Sequence, residues 1–254
     1  MSQETRQKQI GERIARRGEC SIEELVEQFG VSGMTIRRDL QALAGQGKVI
    51  RTHGGAAMAE RVSFEFEFRR QLQHNQSAKR VIAAAAAAQI KDGETIMLDS
   101  GTTTLELAKL LCGKPGLTVI TNSLPIAAQL QYDRQIEVLL LGGYLRASSP
   151  DLVGAITEVN LETLRADAAF LGADGIDRHG GVYQESPEIA RMLTKMAASA
   201  GRVYVVADAS KLGQTALWRF GRLQDWAALI TDAAADRSLL ASLRKAGVRV
   251  IRAG

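Results

Sequence analysis

The chain has 254 residues, 46% of them hydrophobic and 24% charged, and its 32 Lys and Arg exceed its 28 Asp and Glu by four. These values are ordinary for a folded globular protein and exclude a disordered chain, a collagen-like repeat and a coiled coil. The longest run of low polarity, residues 81–88, is far shorter than the roughly 20 apolar residues of a membrane span, and no secretory leader is visible at the N-terminus. We therefore expect a cytoplasmic protein that does not enter a membrane.

The sequence contains no motif for a metal ion, a disulfide or a common cofactor. Cys20 and Cys112 are far apart, and the three histidines are isolated from one another, so neither a disulfide nor a metal site is expected. The phosphate-binding P-loop, the dinucleotide-binding glycine pattern and the serine-hydrolase elbow are also absent from the sequence. We expect a protein without a bound metal or cofactor.

The first three predicted elements are short helices. Isoleucines four residues apart predict an amphipathic helix over residues 4–17. A second helix is predicted between the capping-box residue Ser21 and Gly30, and a third between the N-cap Ser32 and Gly45. The tight turn between the second and third helices predicts a helix-turn-helix, whose last helix enters the major groove of DNA.

A β-hairpin is predicted directly after the three helices. Residues 48–58 contain two short strand patterns around the turn Gly54-Gly55, and a hairpin in this place forms a wing. Arginine suits guanine edges and phosphates, and hydroxyl side chains donate to phosphates or bases. The predicted DNA contacts are Ser32, Thr35, Arg37, Arg38, Lys48, Arg51 and His53. The alternative is that either helix arginine pairs with Asp39 or Glu24 on a solvated helix face.

Helical and strand patterns alternate from residue 77 onward. The predicted strands are Thr95–Ser100, Thr118–Asn122, Glu137–Leu141, Ala168–Gly172, Val203–Ala207, Ala228–Thr231 and Val248–Ile251. Most are continuous Val, Ile, Leu and Ala runs, and helices such as Thr103–Leu111 and Glu188–Ala200 separate them, which indicates a parallel sheet buried on both faces. We expect an α/β protein: a winged helix-turn-helix at 1–58, a linker at 59–76, and a doubly wound, mostly parallel α/β domain at 77–254.

One predicted strand ends in the sequence Leu98-Asp-Ser-Gly-Thr-Thr-Thr104 and leads into a helix. Backbone N–H groups at a helix N-terminus attract anions, and Gly101 permits close approach, so we expect this segment to bind a phosphate. The alternative is that the hydroxyls of Ser100 and the threonines only cap the helix. Parallel strands end at one edge of a sheet, so residues that follow the other strands are expected to line the same crevice. The predicted ligand contacts are Asp99, Ser100, Gly101, Thr102, Thr103, Thr121, Asn122, Gly142, Gly143, Asp174 and Lys211. Among them, Lys211 suits a phosphate, whereas Asn122 and Asp174 suit sugar hydroxyls.

Two segments of the N-terminal region carry a resemblance to a known family. Residues 31–40, Val-Ser-Gly-Met-Thr-Ile-Arg-Arg-Asp-Leu, and residues 47–56, Gly-Lys-Val-Ile-Arg-Thr-His-Gly-Gly-Ala, closely resemble the DNA-binding signature of the DeoR family of bacterial transcriptional regulators. The resemblance extends over nearly the whole chain. It implies a winged helix-turn-helix that binds operator DNA, usually as a repressor of sugar-catabolic genes. Because one winged helix covers few base pairs, we expect a homodimer or homotetramer on paired half-sites.

The C-terminal half resembles the sugar-phosphate-sensing domain of the same family, which is similar in turn to ribose-5-phosphate isomerase. Those isomerases carry a Lys-Gly-Gly-Gly loop and a Glu just before a helical Lys, whereas this chain has residues 183–187, Tyr-Gln-Glu-Ser-Pro, and Thr194 before Lys195. A threonine cannot serve as the carboxylate base of an isomerase. We therefore expect a regulator without enzymatic activity, whose operator binding is relieved by a phosphorylated sugar or similar metabolite. The alternatives are a sugar-phosphate isomerase that carries a DNA-binding domain, and a DNA-binding architectural protein.

Overall fold

The computed structural model describes residues 2–58, 68, 71–146 and 149–254. The chain divides into two compact units, residues 1–71 and 72–254. Most of the predicted linker, residues 59–67, 69 and 70, lies outside the described residues. The last linker residue, Gln76, is the first residue of a helix.

The N-terminal unit contains a helix-turn-helix and a small antiparallel sheet within residues 2–58. Its helices are Gln3–Arg17 (α1), Ile22–Phe29 (α2) and Gly33–Gly45 (α3), and its strands are Glu19–Ser21 (β1), Val49–Arg51 (β2) and Gly55–Met58 (β3). The strand order is β1-β3-β2. The three predicted helices and the two-stranded wing are confirmed. The first strand was not predicted, because three residues between two helices give no alternating pattern.

Local sequence explains how this unit is built. The Ser21 hydroxyl accepts a hydrogen bond from the Glu24 amide at 3.1 Å, and the Glu24 carboxylate accepts one from the Ser21 amide at 3.0 Å, which forms the predicted capping box. A Cβ atom at Gly55 would lie 2.1 Å from the Cys20 carbonyl oxygen, so only glycine fits where β3 meets β1. The core contains buried apolar side chains from all three helices.

The C-terminal unit is built on a seven-stranded sheet. Its helices are Gln76–Ala87 (α4), Thr102–Leu111 (α5), Leu124–Leu130 (α6), Ala155–Thr163 (α7), Pro187–Ala198 (α8) and Arg237–Lys245 (α9). Its strands are Thr95–Leu98 (β4), Leu117–Thr121 (β5), Ile136–Leu140 (β6), Tyr144–Leu145 (β7), Leu152–Val153 (β8), Ala166–Leu171 (β9), Gly175–Ile176 (β10), Gly181–Gln184 (β11), Ala200–Val206 (β12), Trp218–Arg222 (β13), Ala228–Asp232 (β14) and Val250–Ala253 (β15). The large sheet has the order β15-β14-β12-β9-β4-β5-β6, and all of its strands are parallel.

The parallel α/β fold and all seven of its main strands are confirmed. The ends of some strands differ from the prediction: the last one is Val250–Ala253 rather than Val248–Ile251. The hairpin β7-β8 and the antiparallel sheet β10-β11-β13 were not predicted. Three of these five strands are only two residues long, which is too short for a recognisable pattern.

Candidate functional site

Helix α3, the second helix of the helix-turn-helix, has one buried and one exposed face. Its buried residues Ile36, Leu40 and Leu43 belong to the core of the N-terminal unit, as predicted. The exposed face carries residues at helical spacings of three and four: Met34, Arg37, Arg38 and Gln41. The helix therefore presents two arginines and two uncharged side chains to solvent.

The start of α3 is fixed by a side-chain cap. The Ser32 hydroxyl accepts a hydrogen bond from the Thr35 amide at 3.3 Å and lies 3.0 Å from the Thr35 hydroxyl. Ser32 is exposed and Thr35 is half-buried. Both predicted hydroxyl contacts thus lie at the first turn of the helix, and each takes part in its cap.

The acidic residues considered as partners of Arg37 and Arg38 pair with other side chains. Asp39 is buried and accepts hydrogen bonds from the Arg6 Nε at 2.6 Å and the Gln7 Nε2 at 2.9 Å. Glu24 pairs with Arg17 at 3.4 Å. The alternative in which a helix arginine pairs with Asp39 or Glu24 is therefore wrong. Asp39 instead links α3 to α1.

The wing carries the remaining predicted DNA contacts. Lys48, Arg51 and His53 are all exposed, while Val49 is buried beneath the hairpin. The Thr52 amide donates to the Gly55 carbonyl at 3.0 Å and closes the turn, and the Ile22 amide donates to the Gly54 carbonyl at 2.8 Å. The second bond holds the wing turn against the start of α2. Of the seven predicted residues, all but the half-buried Thr35 are thus exposed to solvent on α3 or the wing.

In the C-terminal unit, the predicted ligand residues follow five neighbouring strands of the sheet. The segments follow β12, β9, β4, β5 and β6, which are adjacent in the sheet order. All five strands are parallel, so their carboxyl ends lie at one edge of the sheet. The predicted residues are therefore brought to a common edge, which we call the strand-end crevice.

Asp99 ties together two loops of the strand-end crevice. Its Oδ1 accepts hydrogen bonds from the Gly101 amide at 3.0 Å and the Thr104 hydroxyl at 2.8 Å, and its Oδ2 accepts one from the Gly172 amide at 2.6 Å. Burial raises the pKa of the Asp99 carboxyl, and these hydrogen bonds oppose that rise. Both oxygens of this predicted ligand residue are therefore engaged within the chain.

The N-terminus of α5 is not capped by a side chain. Gly101 is the N-cap, and a Cβ atom there would lie 3.0 Å from the Asp99 Oδ1. The Ser100 hydroxyl donates to Asp151, and the Thr104 hydroxyl is within hydrogen-bond distance of the Asp99 carboxylate and of the Asp99 and Gly101 carbonyls. The alternative in which the hydroxyls of Ser100 and the threonines only cap this helix is therefore wrong. The first-turn residues Thr102 and Thr103 remain beside the uncapped amides.

A buried ion pair lies next to this loop. Asp151 is completely buried and accepts hydrogen bonds from the Arg146 Nε at 2.7 Å and Nη2 at 2.8 Å, and the Ser100 hydroxyl donates to it at 2.7 Å. The sequence analysis missed both charged residues. They lie five residues apart in a non-helical segment, and no periodic pattern reveals such a pair.

The residues at the ends of β5 and β6 have mainly internal contacts. The Thr121 hydroxyl accepts from the Ser123 amide at 3.1 Å, and the Asn122 Nδ2 donates to the Leu152 carbonyl at 3.1 Å. The Asn122 Oδ1 is buried and has no hydrogen-bond partner among the described residues. The Gly142 carbonyl accepts from the Thr157 hydroxyl, and a Cβ at Gly143 would lie 2.2 Å from that hydroxyl oxygen. Packing against Thr157 therefore explains why residue 143 is a glycine.

The end of β12 carries a charged cluster that includes Lys211. Asp208 accepts hydrogen bonds from the Asn75 Nδ2 at 3.0 Å and the Ser210 amide at 3.0 Å. Burial raises the pKa of Asp208, but the hydrogen bonds from the Ser210 hydroxyl and amide and from Asn75, together with the charge of Lys211, hold the pKa below its ordinary value. Lys79 on α4 is buried and interacts with Asp208 and with Lys211.

Lys79 is a residue that the sequence analysis missed. A lysine on a polar helix turn gives no sign of burial in the sequence. In the structure, burial lowers the pKa of Lys79, and the carboxylates of Asp208 and Glu106 oppose this effect. Asp174, the remaining predicted residue, accepts a hydrogen bond from the Glu185 amide at 3.0 Å through Oδ2.

Both units match models of one protein family. Residues 6–62 match the DeoR-like helix-turn-helix domain, and residues 74–233 match the DeoR C terminal sensor domain. The chain belongs to the DeoR family. It is therefore a DNA-binding transcriptional regulator, and the family assignment favours this function over an isomerase.

Curated relatives of this DeoR-family chain are similar over almost its full length. The putative aga operon transcriptional repressor of Escherichia coli O157:H7 is 35% identical over 251 residues, which are 98% of this chain and 93% of that protein. The glycerol-3-phosphate regulon repressor of Escherichia coli K12 is 35% identical over 234 residues, 92% of each chain. Among solved structures, ribose 5-phosphate isomerase A from Methanocaldococcus jannaschii aligns with a TM-score of 0.41 and 19% identity over 54% of this chain and 55% of that one. That similarity is too low to bear on function.

Thr194 and Lys195, the two residues compared above with the isomerases, make contacts within the chain. The Thr194 hydroxyl donates to the Ala190 carbonyl at 2.9 Å within α8, and Lys195 pairs with Glu162 at 2.6 Å. Within the described residues, no helix has the length and apolarity needed to cross a membrane.

Proposed function

We propose that this DeoR-family regulator is a repressor of carbohydrate genes whose operator binding is relieved by a phosphorylated sugar or similar metabolite. The observation that carries the proposal is the uncapped N-terminus of α5, at the edge where five parallel strands end. The names of relatives as repressors of the aga operon and the glycerol-3-phosphate regulon support a carbohydrate effector. A regulator of transcription acts where the chromosome is, so we place it in the cytoplasm.

The phosphate of the effector binds at the first turn of α5. The amides of Thr102 and Thr103 belong to the group of helix N-terminal donors that have no partner within the helix. The hydroxyls of the same two residues add donors, while the absence of a side chain at Gly101 is explained by the close approach of Asp99 and Thr104. Lys211, which follows β12, and the buried Lys79 on α4 supply positive charge.

The sugar end of the effector binds to the hydrogen-bond acceptors of Asn122, Asp174 and Ser100. The buried Asn122 Oδ1 has no partner among the described residues, and the Asp174 carboxylate has one oxygen in a bond to the Glu185 amide. The Ser100 hydroxyl has its proton directed to Asp151 and so offers only lone pairs. Acceptors of this kind suit sugar hydroxyl groups. Thr121 and the Gly142-Gly143 turn shape this end of the crevice through their packing.

Operator DNA is read by α3 and the wing. Arg37 and Arg38 reach base edges or phosphates, Ser32 and Thr35 lie at the helix start, and Lys48, Arg51 and His53 contact the backbone from the wing. A dimer or tetramer places two such units on paired half-sites. The effector relieves repression because it binds more tightly to the arrangement of the protein that does not hold DNA.

The first test is a thermal-shift screen with a panel of phosphorylated sugars and their unphosphorylated counterparts. A ligand that binds only the folded protein raises the melting temperature, so we expect a shift for one phosphorylated compound and none for its unphosphorylated counterpart. That compound is then added to an operator-binding assay, where it is expected to release the DNA. No shift with any phosphorylated compound would contradict the proposed effector class.

The matched variants for this test are Lys211→Ala and Lys245→Ala. Both remove one lysine charge, but Lys245 is exposed on α9 and outside the strand-end crevice. We expect Lys211→Ala to lose the release of DNA by the phosphorylated compound while its operator affinity without that compound stays unchanged. Lys245→Ala is expected to behave as the wild type. A full response in Lys211→Ala would remove this lysine from the phosphate site.

A further inference from the structure

Met34 is a large apolar residue on the exposed face of the recognition helix. Its side chain is 59% exposed, although the apolar residues on the opposite face of α3 are buried. It shares the exposed face with Arg37, Arg38 and Gln41. A strongly polar face that contains one exposed methionine has a single apolar contact point, and neither the predicted DNA contacts nor the core includes it.

Met34 lies at the N-terminal end of α3, one helical turn from Arg37. Side chains of a helix point toward its N-terminus, so Met34 and Arg37 both extend over the first turn. The Arg37 Nη1 is 3.6 Å from the position that a Cβ atom of Gly33 would occupy, which places the guanidinium at that turn. The N-terminal residues of a recognition helix are those that contact base edges in the major groove.

We propose that Met34 reads the C5-methyl group of a thymine in each operator half-site. Among the four bases, only thymine presents an apolar group at its major-groove edge. The flexible thioether chain of methionine adapts to such a small apolar partner. The two arginines beside Met34 favour a polyanion over a protein as the occupant of this face. This inference rests on the proposed role of α3 as the DNA-reading helix.

The experiment begins with the selection of binding sites for the full-length protein from random DNA. Each recurring thymine is then replaced by deoxyuridine, which removes only the methyl group, and dissociation constants are measured at one salt concentration for the wild type and for Met34→Ala. For the wild type we expect about a fourfold loss of affinity at one thymine in each half-site, the effect of one buried methyl-sized group. For Met34→Ala we expect no further loss at that position.

Two control variants make the outcome specific. Ile50→Ala removes an exposed apolar side chain from the wing of the same unit and is expected to keep the full response to deoxyuridine. Met34→Leu keeps an apolar side chain and is expected to retain most of that response. Because neither Met34 variant removes a charge, the salt dependence of binding is expected to stay unchanged.

The proposal is overturned if the selected sites contain no required thymine, or if Met34→Ala and the wild type lose the same affinity at every deoxyuridine. Either result leaves the role of α3 to be judged separately by the Arg37 variant described below. The two experiments therefore distinguish an incorrect role for Met34 from an incorrect assignment of α3 as the DNA-reading helix.

Discussion

The recognition helix and the strand-end crevice use polar residues in opposite ways. On α3, Arg37 and Arg38 make no ion pair with a described residue and extend into solvent, while the buried Asp39 is held by side chains of α1. In the crevice, the Ser100 hydroxyl donates to Asp151, and Asp99 accepts hydrogen bonds from the amides of Gly101 and Gly172. The comparison indicates that the exposed side chains of α3 are free to bind a partner directly, whereas most polar groups of the crevice are already held by hydrogen bonds within the chain.

The strongest test of this difference removes the buried carboxylate of the crevice. In Asp151→Ala the partly buried Arg146 loses the carboxylate to which it donates two hydrogen bonds, and the Ser100 hydroxyl loses its acceptor. We expect the C-terminal unit to lose about 3 to 5 kcal/mol of unfolding free energy, measured by denaturant titration. The matched control is Glu162→Ala, which breaks the exposed pair with Lys195 and is expected to cost less than about 1 kcal/mol. Equal losses of unfolding free energy in the two variants would contradict the view that the pair of Arg146 and Asp151 stabilises the crevice.

The opposite result is expected on the recognition helix. Arg37→Ala removes an exposed side chain, so we expect the unfolding free energy to change by less than about 0.5 kcal/mol. Operator affinity is expected to fall by about 1 to 3 kcal/mol, measured by titration of labelled DNA. Arg17→Ala is the control. Arg17 is the last residue of α1 and pairs with Glu24, so this variant removes an arginine outside α3 and is expected to keep its operator affinity. Normal DNA binding by Arg37→Ala and by Arg38→Ala, with an unchanged salt dependence, would show that α3 is not the reader.

The smallest effect is expected from the charge of Asp208. Its pKa lies below its ordinary value in the folded protein, so the ionised form stabilises the fold at neutral pH. Asp208→Asn keeps an acceptor oxygen but loses the charge, and we expect it to cost about 1 kcal/mol at neutral pH. As the pH falls below about 4 and through the folded pKa of Asp208, this advantage of the wild type is expected to disappear. Unfolding measured at a series of pH values checks this, and a difference that does not change with pH would argue against it.

Much of the fold was predictable because its signals are periodic or local. The apolar spacing of α3, the capping box at Ser21 and the continuous apolar strands all act over a few neighbouring residues. The positions of the crevice residues followed from a general rule, since polar residues after parallel strands meet at one edge. The sequence therefore predicted which segments would approach one another.

The particular contacts of the crevice were not predictable for physical reasons. Arg146 and Asp151 pair across a non-helical segment, so no spacing rule connects them, and Lys79 is buried by residues that are distant in sequence. The sequence also did not show that Ser100 donates to a carboxylate, because the direction of a hydroxyl proton depends on neighbours that only the folded chain brings close. Thr157, which explains Gly143, was missed for the same reason.

The bond between Asp39 and the side chains of Arg6 and Gln7 has a consequence for how operator preference can change. Positions 34, 37, 38 and 41 lie on the exposed side of α3, so substitutions there leave the hydrogen bonds of Asp39 to α1 in place. If α3 reads the operator as we propose, these four positions can be exchanged as a set to redirect the protein to another DNA sequence while this anchor stays in place. The N-terminal unit is in this sense a ready scaffold for building regulators with new targets.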